Sequence, residues 1–443
     1  MGSTGATGST GAAGSITWTT ISSATAAVPD HGYVITGAGS FTISLPTVGN
    51  IIEGQQIQII NAGTGAISVT PPATATIQFA GGSIPSVHQN NLTAGKVGAS
   101  APSWKSVASN YAGNVILAGA GSDVWLSKNS GATWTDVLAG NNFLAVASDG
   151  PGTHFIAAAF NGSLFTSANA GTTWMAQSSA GNGLSWRSVF SDLAGVKMVA
   201  VAQGGAILTS ANSGAAWTDR TTGIIAPQQW YGVAGDQSAT SLVAVAFAAD
   251  IWQSSNSGVT WTNRTSGTSA FGQPWISVAS DSTGMYFAAC SPVNGTPANG
   301  VTSTGDLWTS KDGGITWRNR TAGTALSGKS WWSVVSDATG MRLTATINSG
   351  DTYVSSNGGA TWTDITTGTP LQGAGNFVAL ANDMTGTLLY SAGPSTADIY
   401  GNNANANSTS SLLTGQTGST LMLVYAGGGV YYVLDSSGNF TAY

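Results

Sequence analysis

The sequence predicts an all-β chain, most of it a β-propeller of four-stranded blades, preceded by a small β-domain and a short Gly-x-x stretch. Three observations carry that prediction. A run of small polar residues ending in Trp, SKNSGATWTD from Ser127, returns with edits as SANAGTTWMA, SANSGAAWTD, SSNSGVTWTN, SKDGGITWRN and SSNGGATWTD. Its tryptophans, Trp134, Trp174, Trp217, Trp261, Trp317 and Trp362, are separated by 40, 43, 44, 56 and 45 residues, a spacing of repeat architectures with one supersecondary unit per repeat. Between the runs lie short stretches rich in Val, Thr and aromatics, bounded by Gly, Ser, Asn or Asp, which read as strands and turns; helical periodicity is absent.

Each unit divides into four strands. The first opens on an aromatic: WKSVAS at Trp104, FLAVASD at Phe143, WRSVFSD at Trp186, WYGVAGD at Trp230, WISVASD at Trp275, WSVVSD at Trp332 and FVALAND at Phe377. A fainter eighth member, LMLVYAG, begins at Leu421. The second strand is an apolar alternation such as KMVAVA, the third carries an aromatic (Trp125, Phe165, Trp252, Trp308, Tyr353, Tyr400), and the fourth begins at the run's Trp. Four strands per unit of about 44 residues is a propeller blade. Eight units predict eight blades, with SVHQNNLT, residues 86–93, closing the last one. Seven is the alternative, because the seventh unit has only YGNNANANSTS in place of the run and the eighth has none.

The run lies where the chain must reverse between third and fourth strands. Asn129, Asn169, Asn212, Asn256, Asp312 and Asn357 are placed to accept backbone N–H bonds of their own turn, and the Gly two residues on takes a positive φ without a Cβ clash. Trp134, Trp174, Trp217, Trp261, Trp317 and Trp362 then enter the fourth strand as apolar anchors expected to pack between blades. The pattern S-x-[D/N]-x-G-x-T-W resembles the Asp-box, or BNR, repeat of sialidase-like and photosystem-assembly-factor-like β-propellers, over roughly residues 104–443. Five of the six runs carry Asn where that family has Asp, and AAW at Trp217 lacks the Thr.

Residues 15–85 alternate Val, Ile, Phe and Leu with Gly turns and have no such run. Their ISLP and GQQIQIIN segments resemble small β-domains of phage and giant-virus fibre proteins, and the resemblance implies a homotrimer. Residues 1–14 place Gly at 2, 5, 8, 11 and 14, the period that a collagen triple helix demands at its axis; a flexible linker is the alternative.

Only 7% of the 443 residues are charged and the net charge is −6, so hydroxyls and amides wet the surface. Twelve scattered Lys and Arg form no basic stripe, which argues against nucleic acid. No apolar run approaches the ~18 residues of a membrane span, and no signal peptide is expected. The lone Cys290 excludes an intrachain disulfide, and His31, His88 and His154 lie in separate regions, so no metal site and no cofactor are expected.

Glycoside hydrolysis needs a pair of carboxyl groups a few ångströms apart, and the Asp-box resemblance would place a sialidase Glu, Tyr and arginine triad in the ring. The chain's single Glu, Glu53, lies outside it. Most aspartates occupy repeating positions: after first strands (Asp149, Asp192, Asp236, Asp281, Asp337, Asp383), before third-strand aromatics (Asp123, Asp250, Asp306, Asp351, Asp398), or on fourth strands (Asp136, Asp219, Asp364). They are read as turn acceptors, and the chain as a non-enzyme. Binding is expected where the repeat lapses: Asn294 and Asn299 in the insertion at 291–304, Asn402 and Asn405 in the Asn-rich turn, and Trp230 and Trp331. The function expected is a structural or adhesive fibre protein, extracellular or on a virion, whose propeller head binds a glycan, a protein receptor or a neighbouring subunit. A secreted Asp-box hydrolase and a propeller assembly factor are the alternatives.

Overall fold

The computed structural model describes residues 17–36, 41–47, 50, 56–62, 67–70, 76–79, 90–93, 102–221, 228–293, 305–366, 377–393, 399–401, 409–410, 413–415, 420–425, 430–437 and 440–442. The chain falls into two compact units, Ile84–Asn403 and the combination of Met1–Ser83 with Ala404–Tyr443.

Among the described residues, Ile84–Asn403 forms seven four-stranded units as a β-propeller. The first blade pairs Trp104–Ser109, Ile116–Ala120, Asp123–Ser127 and Thr135–Ala139 in an antiparallel meander. The following blades open at Phe143, Leu184, Trp230, Ser277, Trp331 and Ala379. The second and third also pair with each other, through Phe155–Gly162 and Leu184–Ser191. In the last blade Ala379–Asn382, Leu389–Ala392 and Ile399–Gly401 take Asn90–Asn91 as their fourth strand. The N-terminal segment therefore closes the last blade, with Leu92 N donating to Ile399 O at 2.8 Å.

The expected eighth blade is corrected, and with it the boundary at 443. Thr420–Tyr425, read as a blade's first strand, pairs antiparallel with Gln56–Asn61, setting Leu421 opposite Ile59. An alternating apolar strand specifies which face it buries but not which edge it joins.

A hoop of main-chain hydrogen bonds confirms the sevenfold closure. The N–H of Tyr111 donates to Gly150 O, Gly150 to Leu193, Leu193 to Gln237, Gln237 to Ser282, Ser282 to Ala338, Ala338 to Met384, and Met384 back to Tyr111, all at 2.8–3.1 Å. Each donor directly follows Asn110 or the Asp that ends a first strand.

Blade cores are aromatic. Trp104, Phe143, Trp186, Trp230, Trp275, Trp331 and Phe377 have no exposed surface. Five of them meet the third-strand aromatic of their own blade: Phe143–Phe165, Trp230–Trp252, Trp275–Trp308, Trp331–Tyr353 and Phe377–Tyr400, with centroids 5.4–6.3 Å apart.

The other unit has two sheets between which the N-terminal chain alternates. Thr17–Ile21, His31–Ile35 and Gln56–Asn61 run parallel in one; Thr25–Ala26, Phe41–Ser44 and Ile67–Thr70 run parallel in the other. Strands from Ala404–Tyr443 extend both sheets. Gln56–Asn61 buries every second residue, so Ile57 and Ile59 join Tyr33, Ile35, Ile43 and Val69 in its core. The Gly-x-x stretch at 1–14 lies outside the described residues.

Candidate functional site

The recurrent turns are bound by their own side chains. In the first, Ser127 Oγ accepts from Gly131 N at 2.9 Å and donates to Asn129 Oδ1 at 3.0 Å. Asn129 Oδ1 also accepts from Thr133 N at 2.8 Å, and its amide donates to Thr133 Oγ1 at 2.9 Å. The Ser and Asn/Asp backbone contacts recur around Asn169, Asn212, Asn256, Asp312 and Asn357. Ser130, Ala170, Ser213 and Ser257 hold φ of 52–57° without being glycine, a conformation these bonds sustain.

The acids after first strands serve the next turn. Asp149 Oδ1 accepts from Thr153 N at 2.7 Å, Asp192 from Val196 N at 2.7 Å, Asp236 from Thr240 N at 2.6 Å, Asp281 from Met285 N at 3.0 Å and Asp383 from Thr387 N at 2.8 Å. Asp337 accepts from Arg342 N at 3.1 Å. Burial pushes the Asp192, Asp281 and Asp383 carboxyls up against these bonds, and takes Asp337 to about 7 despite Thr339 and Arg342. Asp192, Asp236, Asp281, Asp337 and Asp383 line the hoop end of the channel, a cavity of about 300 Å³.

Asp250 and Asp306 are held by the fourth strand: Asn263 and Thr265 donate to the first at 2.7 Å, Asn319 and Thr321 to the second at 2.7–2.8 Å. In the first blade the Asn position is Asp136, which faces Asp123. Burial first and Asp123 second raise its carboxyl. Among the described residues no group of three or more His, Cys, Asp or Glu could hold a metal ion, and no helix is long and apolar enough to cross a membrane. Cys290 is fully buried, and burial raises its thiol.

The opposite mouth is different. It is a cavity of about 740 Å³, ringed by the residue that follows each core aromatic: Lys105, Leu144, Arg187, Tyr231, Ile276, Trp332 and Val378. All seven are half-buried. In five blades the register with the second strand slips here, for instance between Trp186 and Ser188 and between Trp331 and Ser333. A bulge of this kind leaves one residue outside the ladder and re-aims its side chain. One residue deeper, every Ser found there ties its blade to the next: Ser106 to Val146 N, Ser188 to Val233 N, Ser277 to Val334 N and Ser333 to Leu380 N, at 3.1–3.3 Å.

Arg187 is the most organised group of the mouth. Its guanidinium carbon lies 5.0 Å from the Phe160 ring centroid and 4.8 Å from that of Tyr231. Nε donates to Gln203 Oε1 at 2.9 Å and Nη2 to the same oxygen. Asn142 and Asn348 add amides to the mouth, and no carboxylate is among its lining residues.

Two expected binding residues are corrected. Trp230 and Trp331 are core residues with no exposed surface; the first-strand aromatic of the sixth blade is Trp331, and its neighbour Trp332 reaches the mouth. Asn294, Asn299, Asn402 and Asn405 lie outside the described residues. The ring itself was missed by sequence reasoning, although a signal existed: within W-x-S-V, x is the position that changes chemical class from blade to blade.

No protein-family model matches the sequence, and no curated protein matches it. Solved structures do. YCF48 from Cyanidioschyzon merolae aligns at a TM-score of 0.50 and 14% identity over 69% of this chain and 97% of that one. A structure of YCF48 bound to D1 peptide aligns at 0.51 and 13% over 72% and 97%. The GH74 xyloglucanase from Xanthomonas campestris aligns at 0.51 and 14% over 75% of this chain, which spans 54% of the xyloglucanase. At such identity the likeness is one of fold, the β-propeller.

Proposed function

We propose that the propeller is a non-catalytic recognition module that holds an acidic polypeptide segment at the mouth ringed by Lys105, Arg187, Tyr231 and Trp332. This is the assembly-factor alternative of the sequence reading. One observation carries it: Arg187 is stacked between two rings and fixed on Gln203 before any ligand arrives, while Nη1 has no hydrogen-bond partner among the described residues. A guanidinium ordered in advance loses little freedom on binding a carboxylate. Aromatic and aliphatic neighbours supply apolar contact for flanking side chains. The likeness to YCF48, one structure of which holds a peptide, supports the same reading. Hydrolysis, the activity named for the GH74 neighbour, has less support, because the mouth lacks a carboxylate pair. The fibre reading, with its homotrimer and surface glycan, draws on the N-terminal resemblances alone.

The test is fluorescence anisotropy of short labelled peptides, acidic, neutral and basic, on the full chain. The acidic peptide binds best, and Arg187→Gln weakens it about tenfold with the unfolding temperature unchanged. Equal binding of acidic and basic peptides, an indifferent Arg187→Gln variant, or release of reducing sugar from xyloglucan overturns the proposal.

A further inference from the structure

A third cavity, of about 440 Å³, lies between the third and fourth blades, lined by Lys197, Met198, Thr209, Asn212, Arg220 and Val259 among others. The repeat lapses beside it at one position, Ala216, where the other five turns have Thr. At the junction of the fifth and sixth blades, Tyr286 and Lys311 fill the corresponding groove, with Lys311 Nζ 6.0 Å from the Tyr286 centroid, and leave no room for a water. Counting from the turn acid, Lys197 stands where Tyr286 does; counting from the turn serine, Ala211 replaces Lys311 and Ala216 replaces Thr316. Lys197 also folds aside, its Nζ donating to Ser238 O at 2.9 Å and Ser257 Oγ at 3.3 Å.

The same replacements release polar groups. In four other turns the Asn amide donates to the Thr four residues on, at 2.8–2.9 Å. Ala216 offers no such acceptor, so the Asn212 amide has no partner among the described residues. Arg220 Nε donates to Thr209 Oγ1 at 2.9 Å, and its Nη groups have none. The carboxylate near Lys197, Asp192, is buried and occupied by Val196 N, which leaves Arg220 as the unopposed charge. The half-exposed Val259 forms an apolar wall, and Met198 is buried in the blade core behind the cavity.

We propose that this cavity binds a uronic acid unit of a glycan: the carboxylate on Arg220, ring hydroxyls on the Asn212 amide and the Thr209 and Thr218 hydroxyls, and the C–H face against Val259. Its volume falls within the roughly 300–1,000 Å³ of small-molecule sites, and its lining joins an apolar wall to a few converging donors, as such sites do. The site shares no lining residue with the channel mouth and stands independently of the peptide reading.

The test is calorimetric titration of the full chain with D-glucuronate, D-glucose and inorganic sulfate. Glucuronate binds, glucose binds about tenfold more weakly for want of the charge-assisted bond, and Arg220→Gln abolishes the difference. Lys197→Tyr combined with Ala211→Lys, which rebuilds the filled junction, removes binding at an unchanged unfolding temperature, whereas Arg187→Gln leaves it intact. Absence of glucuronate binding, binding that survives both cavity variants, or sulfate binding as tightly as glucuronate overturns the proposal.

Discussion

The two ends of the channel are made by the same seven first strands and handle polar groups in opposite ways. At the hoop end each strand finishes in an Asp or Asn whose oxygens are consumed by the following turn, and the next N–H joins a neighbouring blade. At the mouth, five strands carry a bulged side chain and the other two are preceded by a side chain, Ile276 or Val378, outside the ladder. Positions that recur unchanged hold the ring together; the position free to vary is where binding is proposed. Changes at one end should therefore alter stability, and changes at the other should alter binding.

The comparison breaks most severely at Gly340. Its φ is +73°, and a Cβ there would sit 2.4 Å from the Tyr286 Cβ. Gly340→Ala adds left-handed strain of about 1–2 kcal/mol to that collision. We expect a total loss of about 3–4 kcal/mol, at the upper end of single substitutions, read as a lower urea midpoint, with peptide affinity retained in the folded fraction. An unchanged midpoint would mean that the hoop yields easily.

Next comes proton linkage at the same end. The Asp337 carboxyl is raised to about 7 by burial, above its value in the unfolded chain. The folded state thus binds the proton more tightly, and stability rises as pH falls from 7 toward 5, by about 2 kcal/mol for this group. Asp192, Asp281 and Asp383 shift in the same direction. Asp337→Asn should flatten the slope without unfolding the blade, since Asn110 already holds the equivalent turn in the first blade, accepting from Val115 N at 3.0 Å. Urea titrations at pH 5 and 7 measure both slopes; identical slopes would refute the assignment.

The smallest effect sharpens the rule that repetition means stability. Ala216→Thr restores the acceptor missing beside Asn212 and should add about 0.5–1 kcal/mol, seen as a slightly higher thermal midpoint. A lower midpoint would show that the third turn is adapted to its Ala.

Much of the architecture is legible residue by residue. Asn129 and its counterparts, the acids from Asp149 to Asp383, and the aromatics from Phe165 to Tyr400 act as their positions imply, because turn bonds and blade packing are local. The number of blades is less so. LMLVYAG has the alternation of a first strand, but its partner is Gln56–Asn61, far away in sequence, and strand propensity is silent on partners. Taking Trp332 as the first-strand aromatic and Trp331 as a binding residue inverts the two for a related reason: the bulge decides which indole faces the core, and a bulge leaves no mark in a two-residue periodicity. The cavity beside Asn212 shows the converse, for the missing Thr beside Trp217 is visible in the sequence while the space is not.

The hoop of seven hydrogen bonds also has a direction. Every N–H points the same way round, so the bond dipoles circulate and cancel along any axis in the plane. Such a circuit is complete or it is not. Met384 meets Tyr111 only when the two extremes of the toroid come together, so the circuit closes with the ring and not before it.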